Sequence, residues 1–186
     1  MSGIVVANIY LLVIALGLCA MYTLCLVIVP VFFKEAHSAK DSFSLRSVAV
    51  ILATYTMVVY VVFAQRDVEW GNRLLHTFGG GLCAYLAYAL AVRDAKMSQS
   101  RWRLVFFGVL VITSLGVINE LAEFALSYVV DYEFARNIFD TWFDLTSNTI
   151  GLSIGALIML PVMKKKTPDN LRLSGVALPS QDMINE

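Results

Sequence analysis

Carboxylates embedded in apolar sequence are the residues of this chain best placed to do chemistry. Glu120 and Glu123 stand in the run VINELAEFAL, and Asp140 and Asp144 open a second apolar stretch that continues through Asn148. His76 sits in a third, just before Gly79-Gly80-Gly81. An ionised group inside a lipid-spanning helix costs about 2.5–3.5 kcal/mol, so two unpartnered carboxylates carry about 5–7 kcal/mol. They must be protonated, paired with Arg or His, bound to metal, or facing water. Carboxylate oxygens with an imidazole suit Mg²⁺, Mn²⁺ or Zn²⁺. The candidate ligands of such a divalent cation are Glu120, Glu123, Asp140, Asp144 and His76, and the candidates for any catalytic role, itself not fixed by the sequence, are His76, Glu120, Glu123 and Asp144. Arg73 and Arg136 are candidates to receive a phosphate, and Asn148 to bind the same ligand. No H-E-x-x-H, nucleophile elbow or phosphatase signature accompanies them.

Depth and facing decide whether these groups can meet. At about 1.5 Å per residue, Glu123 lies roughly 10 Å and Glu120 roughly 15 Å from the span end at Val130. His76 lies roughly 8 Å from Gly71, and Asn148 roughly 12 Å from Asp140, with Asp144 shallower. All fall in one half of the membrane. Glu120 and Glu123 project within roughly 60° of each other, and Asp140, Asp144, Asn148, Gly151 and Gly155 share an arc of roughly 80°. At α-helical spacing His76, Gly79, Gly80 and Cys83 share a face, with Asn72 and Arg73 one turn earlier. Gly79, Gly80, Gly151 and Gly155 read as close-packing positions, as small residues do between helices in lipid.

The elements that must position these residues are membrane helices. The chain has 186 residues, 59% hydrophobic and 15% charged, with mean hydropathy +0.73. Both departures from soluble composition point to the bilayer as its partner. Five apolar segments approach the roughly 20 residues needed to span. They are Ile4–Phe33, Ser47–Ala64, Gly71–Val92, Leu104–Val130 and Asp140–Met163, which predicts an all-α polytopic bundle. Met1–Val6 carries no Lys or Arg and the first apolar run goes on to Phe33, which predicts an anchor and no cleaved signal peptide. Eleven of the 14 Lys and Arg residues fall after the first, third and fifth segments, leaving Arg66, Arg73 and Arg136 on the other side. The positive-inside bias then puts the N-terminus outside and the C-terminus in the cytoplasm, with the acidic half outermost. The organisation expected is an added N-terminal helix and loop over 1–46, a four-helix membrane domain over 47–163 and a polar tail over 164–186. Cys19, Cys25 and Cys83 lie in apolar runs without metal spacing and read as packing residues. No basic patch with interleaved aromatics lies outside the spans, which argues against nucleic acid as a partner.

These motifs carry a family likeness. Asp144-Leu-Thr-Ser-Asn148-Thr-Ile-Gly151-Leu-Ser-Ile-Gly155 resembles the D-x-x-x-N-x-x-G-x-x-x-G signature that closes VanZ-like membrane domains. Glu120-Leu-Ala-Glu123 resembles their E-x-x-Q, and His76 the histidine on the helix before. The start at Asp140 is similar to YjdF-like inner-membrane proteins. Glu123 stands where VanZ-like proteins usually carry an amide, and Arg136 precedes Asp144 by eight residues, looser than the family's arginine. The resemblance covers the second to fifth spans. It implies a cell-envelope role of the kind associated with low-level glycopeptide resistance, without a settled reaction.

Three functions stay open on the sequence. The first is a membrane enzyme or binder holding a divalent cation against a lipid or glycan headgroup, for which the depth of the site is suited. The second is a proton- or ion-coupled carrier whose glutamates titrate, against which the other half of the bundle looks poor in polar residues. The third is a scaffold subunit whose polar core sets helix register.

Overall fold

A backbone in lipid must satisfy its own N–H and C=O groups, so the apolar runs of this chain can only be helices. The computed structural model describes residues 3–35, 42–65, 67–129 and 138–161, and among these no strand occurs. The elements are α1 (Gly3–Phe32), α2 (Leu45–Phe63), α3 (Val68–Leu74), a π-helical stretch (Leu75–Cys83), α4 (Ala84–Asp94), α5 (Arg101–Val129) and α6 (Ile138–Met159). α3, the π-helical stretch and α4 follow one another without a break, so the described residues form a bundle of five long rods. Four rods are long and apolar enough to cross a membrane. α6 has the length, 22 residues or about 33 Å, and carries Asp140, Asp144 and Asn148 in its first half. Arg66, the 130–137 connection with Arg136, and the 164–186 tail lie outside the described residues.

The third rod is the centre of the bundle: 72% of its span is buried, against 28% for α1 and α5 and 17% for α2. Its ends are set by side chains and backbone turns. Asp67 Oδ1 accepts from the N–H groups of Glu69 and Trp70 and caps α3. At the far end Lys96 adopts φ 52°, and the Met97 and Lys96 N–H groups reach back to the Val92 and Arg93 carbonyls in a Schellman turn. α1 stops the same way, with Lys34 at φ 53° and Glu35 N–H bonded to the Pro30 carbonyl. Pro30 lies inside α1, where its missing N–H falls within the last turns.

Hydroxyls in the bundle find acceptors instead of lipid. Tyr88 lies over Gly108, where a Cβ would strike its ring, and donates to the Leu104 carbonyl at 2.6 Å. Tyr55 donates to the Leu11 carbonyl at 3.2 Å. Thr54, Thr56, Thr146, Thr149 and Ser153 each bond the carbonyl four residues earlier on their own helix. The half that looks poor in polar residues by sequence holds a compact network. Tyr22 donates to Asp94 Oδ2 at 2.8 Å, Ser47 Oγ donates to the same oxygen, and Arg93 grips Asp94 Oδ1 at 2.8 Å. Tyr22 also accepts from Ser44 N–H at 3.1 Å, so one fully buried phenol ties α1, α2 and α4 together.

α6 packs on the π-helical stretch backbone to backbone. A Cβ on Gly151 would overlap the Thr77 carbonyl oxygen, and one on Gly81 would come 2.5 Å from the Asn148 carbonyl. A Cβ on Gly80 would meet Asn148 Oδ1, and one on Gly155 would sit 2.9 Å from Tyr85 Cβ. The wider π turn changes which glycines face which helix. α-Helical spacing groups Gly79 with His76, whereas here Gly79 faces the Tyr55 ring of α2 and Gly80 and Gly81 face α6.

Candidate functional site

His76 is carried on the second position of the π-helical stretch and is flanked by α5 and α6. Its Nε2 lies 3.5 Å from Asp144 Oδ2 of α6, and its Nδ1 lies 3.8 Å from Glu120 Oε1 of α5. Asn148 Nδ2, one turn beyond Asp144, lies 3.3 Å from His76 Nδ1. With Asn148 as donor, Nδ1 is the acceptor, which leaves the Nε2 proton directed at Asp144. His76, Glu120, Asp144 and Asn148 are each 3–8% exposed. A ligand atom from each of His76, Glu120 and Asp144 lies within 4.8 Å of the other two.

Neighbouring amides hold the carboxylates in place. Asn72, four residues before His76 on the same rod, donates to both Asp144 oxygens at 3.1 and 3.2 Å. Asn119 Nδ2 donates to Glu123 Oε1 at 2.8 Å. The sequence signal for Asn72 was its position one helical turn before His76. Asn119 carried no signal beyond being next to Glu120. Glu123 is buried but stands apart from the three-residue group, facing a cavity. Asp140 lies one turn before Asp144 at the start of α6 and is likewise not in that group. Arg73 stacks its guanidinium over the Phe143 ring at 4.1 Å, beside Asp144 in the chain. Arg136 falls outside the described residues.

Two buried acceptors in this cluster, Glu120 Oε1 and Asn148 Oδ1, take no hydrogen bond. Buried polar atoms are almost always paired, so both are conspicuous. The cluster borders a cavity of about 860 Å³ between α1, the π-helical stretch and α5. His76, Asn119, Glu123 and Asn148 form its polar end; the remainder, including Leu18, Leu24, Ile112 and Leu115, is largely apolar.

The sequence family described as "Predicted membrane protein (DUF2238)" matches residues 1–166, which runs from the start of the chain through all five rods. The chain belongs to the DUF2238 family. No curated protein and no solved structure matches it. What this DUF2238 protein can do chemically follows from its donor set. One imidazole and two carboxylates could hold a metal ion. Bonds of 2.0–2.2 Å in a tetrahedral site put ligand atoms roughly 3.4 Å apart. At up to 4.8 Å apart, the three ligand atoms would have to draw together to hold an ion. Asn72, bonded to both Asp144 oxygens, is then the outer partner that orients a ligating carboxylate.

Proposed function

We propose that the protein binds a divalent cation of the Zn²⁺ or Mn²⁺ type through His76, Glu120 and Asp144, and offers the remaining coordination positions to an oxygen of a lipid or glycan headgroup. The observation that carries this reading is the orphaned Glu120 Oε1, buried and unbonded beside a histidine and a second carboxylate. Desolvating that acidic group without a partner is costly, and a cation removes the cost directly. Three protein ligands leave an open position, as in sites that act on a bound oxygen. The concentration of Lys and Arg at the other end of the rods supports an extracytoplasmic position for the cation. The VanZ-like likeness of the His76, Glu120 and Asp144–Gly155 motifs supports an envelope role. The stacking of Arg73 on Phe143, next to Asp144 in the chain, supports a contact between its guanidinium and an anionic part of the headgroup.

The test is metal content of the purified, reconstituted protein after exposure to Zn²⁺, Mn²⁺ or Mg²⁺ and removal of free ion. The parent should retain about one ion per chain, and Glu120→Gln and Asp144→Asn should lose it. A parent that retains none of the three, or variants that retain as much as the parent, would defeat the reading.

A further inference from the structure

The cavity beside the polar cluster has a shape that the cation site does not explain. It occupies about 860 Å³ and meets a second cavity of about 350 Å³, the two sharing Met21, Leu24 and Leu115. From Leu126 at one end to Phe107 at the other they follow nineteen residues of α5, or about 28 Å, with Glu123 one turn inside the first end. The hydrocarbon core of a bilayer is about 30 Å thick. The track therefore passes well beyond the depth of one leaflet. One wall is α1, where a Cβ on Gly17 would meet nothing within 4 Å, and the opposite wall is α5, where Gly116 faces the same space.

Ser114 lines the smaller cavity, and polarity in the larger one is concentrated toward one end. Asn119, Glu123, His76 and Asn148 cluster there, no Lys or Arg lines the chamber, and the apolar walls begin immediately below. Asn148 is 8% exposed and its Oδ1 accepts nothing, so that oxygen is left without a hydrogen-bond donor. A membrane protein would leave a chamber of this pattern to an amphiphile whose head donates and whose tail is hydrocarbon. Its lips carry Leu24 and Leu115, both exposed, so a chain can enter sideways from the bilayer.

We infer that the chamber between α1 and α5 seats the single hydrocarbon chain of a hydroxyl-bearing amphiphile, with its head against Asn148 and Glu123. This deepens the headgroup reading above and rests on it for the contact between head and cation. The seat for the chain stands on the chamber alone. Hydroxyl oxygens suit both duties, donating to Asn148 Oδ1 and offering lone pairs to a neighbouring cation.

The test uses the full chain in phosphatidylcholine nanodiscs and a monoacylglycerol carrying a photoreactive diazirine at mid-chain. Labels mapped by peptide mass spectrometry should concentrate on the chamber faces of α1 and α5. Unlabelled monoacylglycerol should compete better than the methyl ester of the same acid. Gly17→Leu and Gly116→Leu fill the chamber from opposite walls. Each should cut labelling by about tenfold or more, since even one methylene in an apolar pocket changes binding by that order. Asn148→Leu should keep the labelling and lose the preference for the hydroxyl head. Labels spread over lipid-facing positions such as Phe106, Leu121 and Ile150, unchanged in both filled variants, would overturn the inference. So would a dimer in the nanodisc whose chamber stays unlabelled, which would assign the groove to a second copy. Labelling that survives chelation and Asp144→Asn supports the chain seat even where the cation reading fails. Retained metal with an unlabelled chamber refutes the seat alone.

Discussion

Replacing Gly151 with alanine puts a methyl group where the Thr77 carbonyl oxygen already stands, with Gly81 Cα only 3.1 Å away. Both obstacles are backbone, so no rotamer change relieves them, and α6 must back off the π-helical stretch by roughly an ångström or more. Overpacking of this kind costs about 1–3 kcal/mol. The same retreat stretches the 3.3 Å contact of Asn148 with His76 and the 3.5 Å approach of Asp144 to His76. Losing such polar contacts adds about 1 kcal/mol each, for a total of roughly 3–5 kcal/mol. Two other glycines calibrate the number. Gly155→Ala meets Tyr85 Cβ at 2.9 Å, a side-chain atom that can shift, and should cost about 1–2 kcal/mol. Gly17→Ala points into open space and should stay within about 0.5 kcal/mol of the parent. The assay is denaturation by a graded SDS fraction in a fixed mixed micelle, followed by helical circular dichroism, with bound cation measured on the same samples. The expected order is Gly151 far below Gly155, and Gly155 below Gly17, with cation lost only from the first. Equal midpoints for Gly151→Ala and Gly17→Ala would show that the two backbones do not bear on each other, and the geometry of the site would fall with that result.

Three further outcomes follow from single contacts. Asn72→Leu removes the amide that bonds both Asp144 oxygens and should cost about 1.5–3 kcal/mol in the same assay, with a 10–100-fold loss of cation affinity; unchanged affinity would remove Asn72 from the site. Tyr22→Phe deletes a donor to Asp94 and an acceptor for Ser44 N–H at the opposite end of the bundle. It should lower stability by about 2 kcal/mol while leaving cation content untouched; loss of cation would refute the separation of the two networks. Lys96→Gly relieves a left-handed backbone at an exposed helix stop and should raise stability by about 0.5–1 kcal/mol, and a lower midpoint would mean the lysine side chain contributes more than its backbone costs.

The rods were legible because lipid allows so little else. Apolar runs of spanning length fixed where helices start and stop to within a few residues. The rise per residue put Glu120, His76 and Asp144 at comparable depths before any contact was known. Facing was readable only while the helix stayed α-helical. The π turn over Leu75–Cys83 leaves no mark in a hydropathy pattern, and it moves Gly79 to α2 and brings Gly81 onto Gly151. Tyr22 and Ser47 were illegible for a different reason. A tyrosine in an apolar run reads as ordinary lipid- or core-facing bulk, and nothing local says that its hydroxyl meets Asp94 seventy-two residues later. The chamber was also invisible, since a gap between α1 and α5 is a property of how rods lean and leaves no local trace in either sequence.

The contrast between the two polar clusters bears most directly on what the site is for. At the Asp94 end both carboxylate oxygens are bonded, by Tyr22, Ser47 and Arg93, and Ser47 Oγ in turn accepts from Arg93. Such a network is complete within the chain, and it ties three rods at one level. At the His76 end the chain gathers unfavourable features instead: two orphaned acceptors, a π-helical turn and a backbone pressed against a glycine. Selection for stability alone works against combinations of this kind, because well-packed apolar residues in place of buried polar groups are often neutral or stabilising. A polar group left incomplete next to an open chamber is explained when something from outside the chain completes it. Glu120→Leu separates the two explanations. If the cluster only sets helix register, that variant loses its paired partner and falls in stability. If the cluster awaits a ligand, Glu120→Leu matches or exceeds the ligand-free parent in SDS resistance and loses the cation.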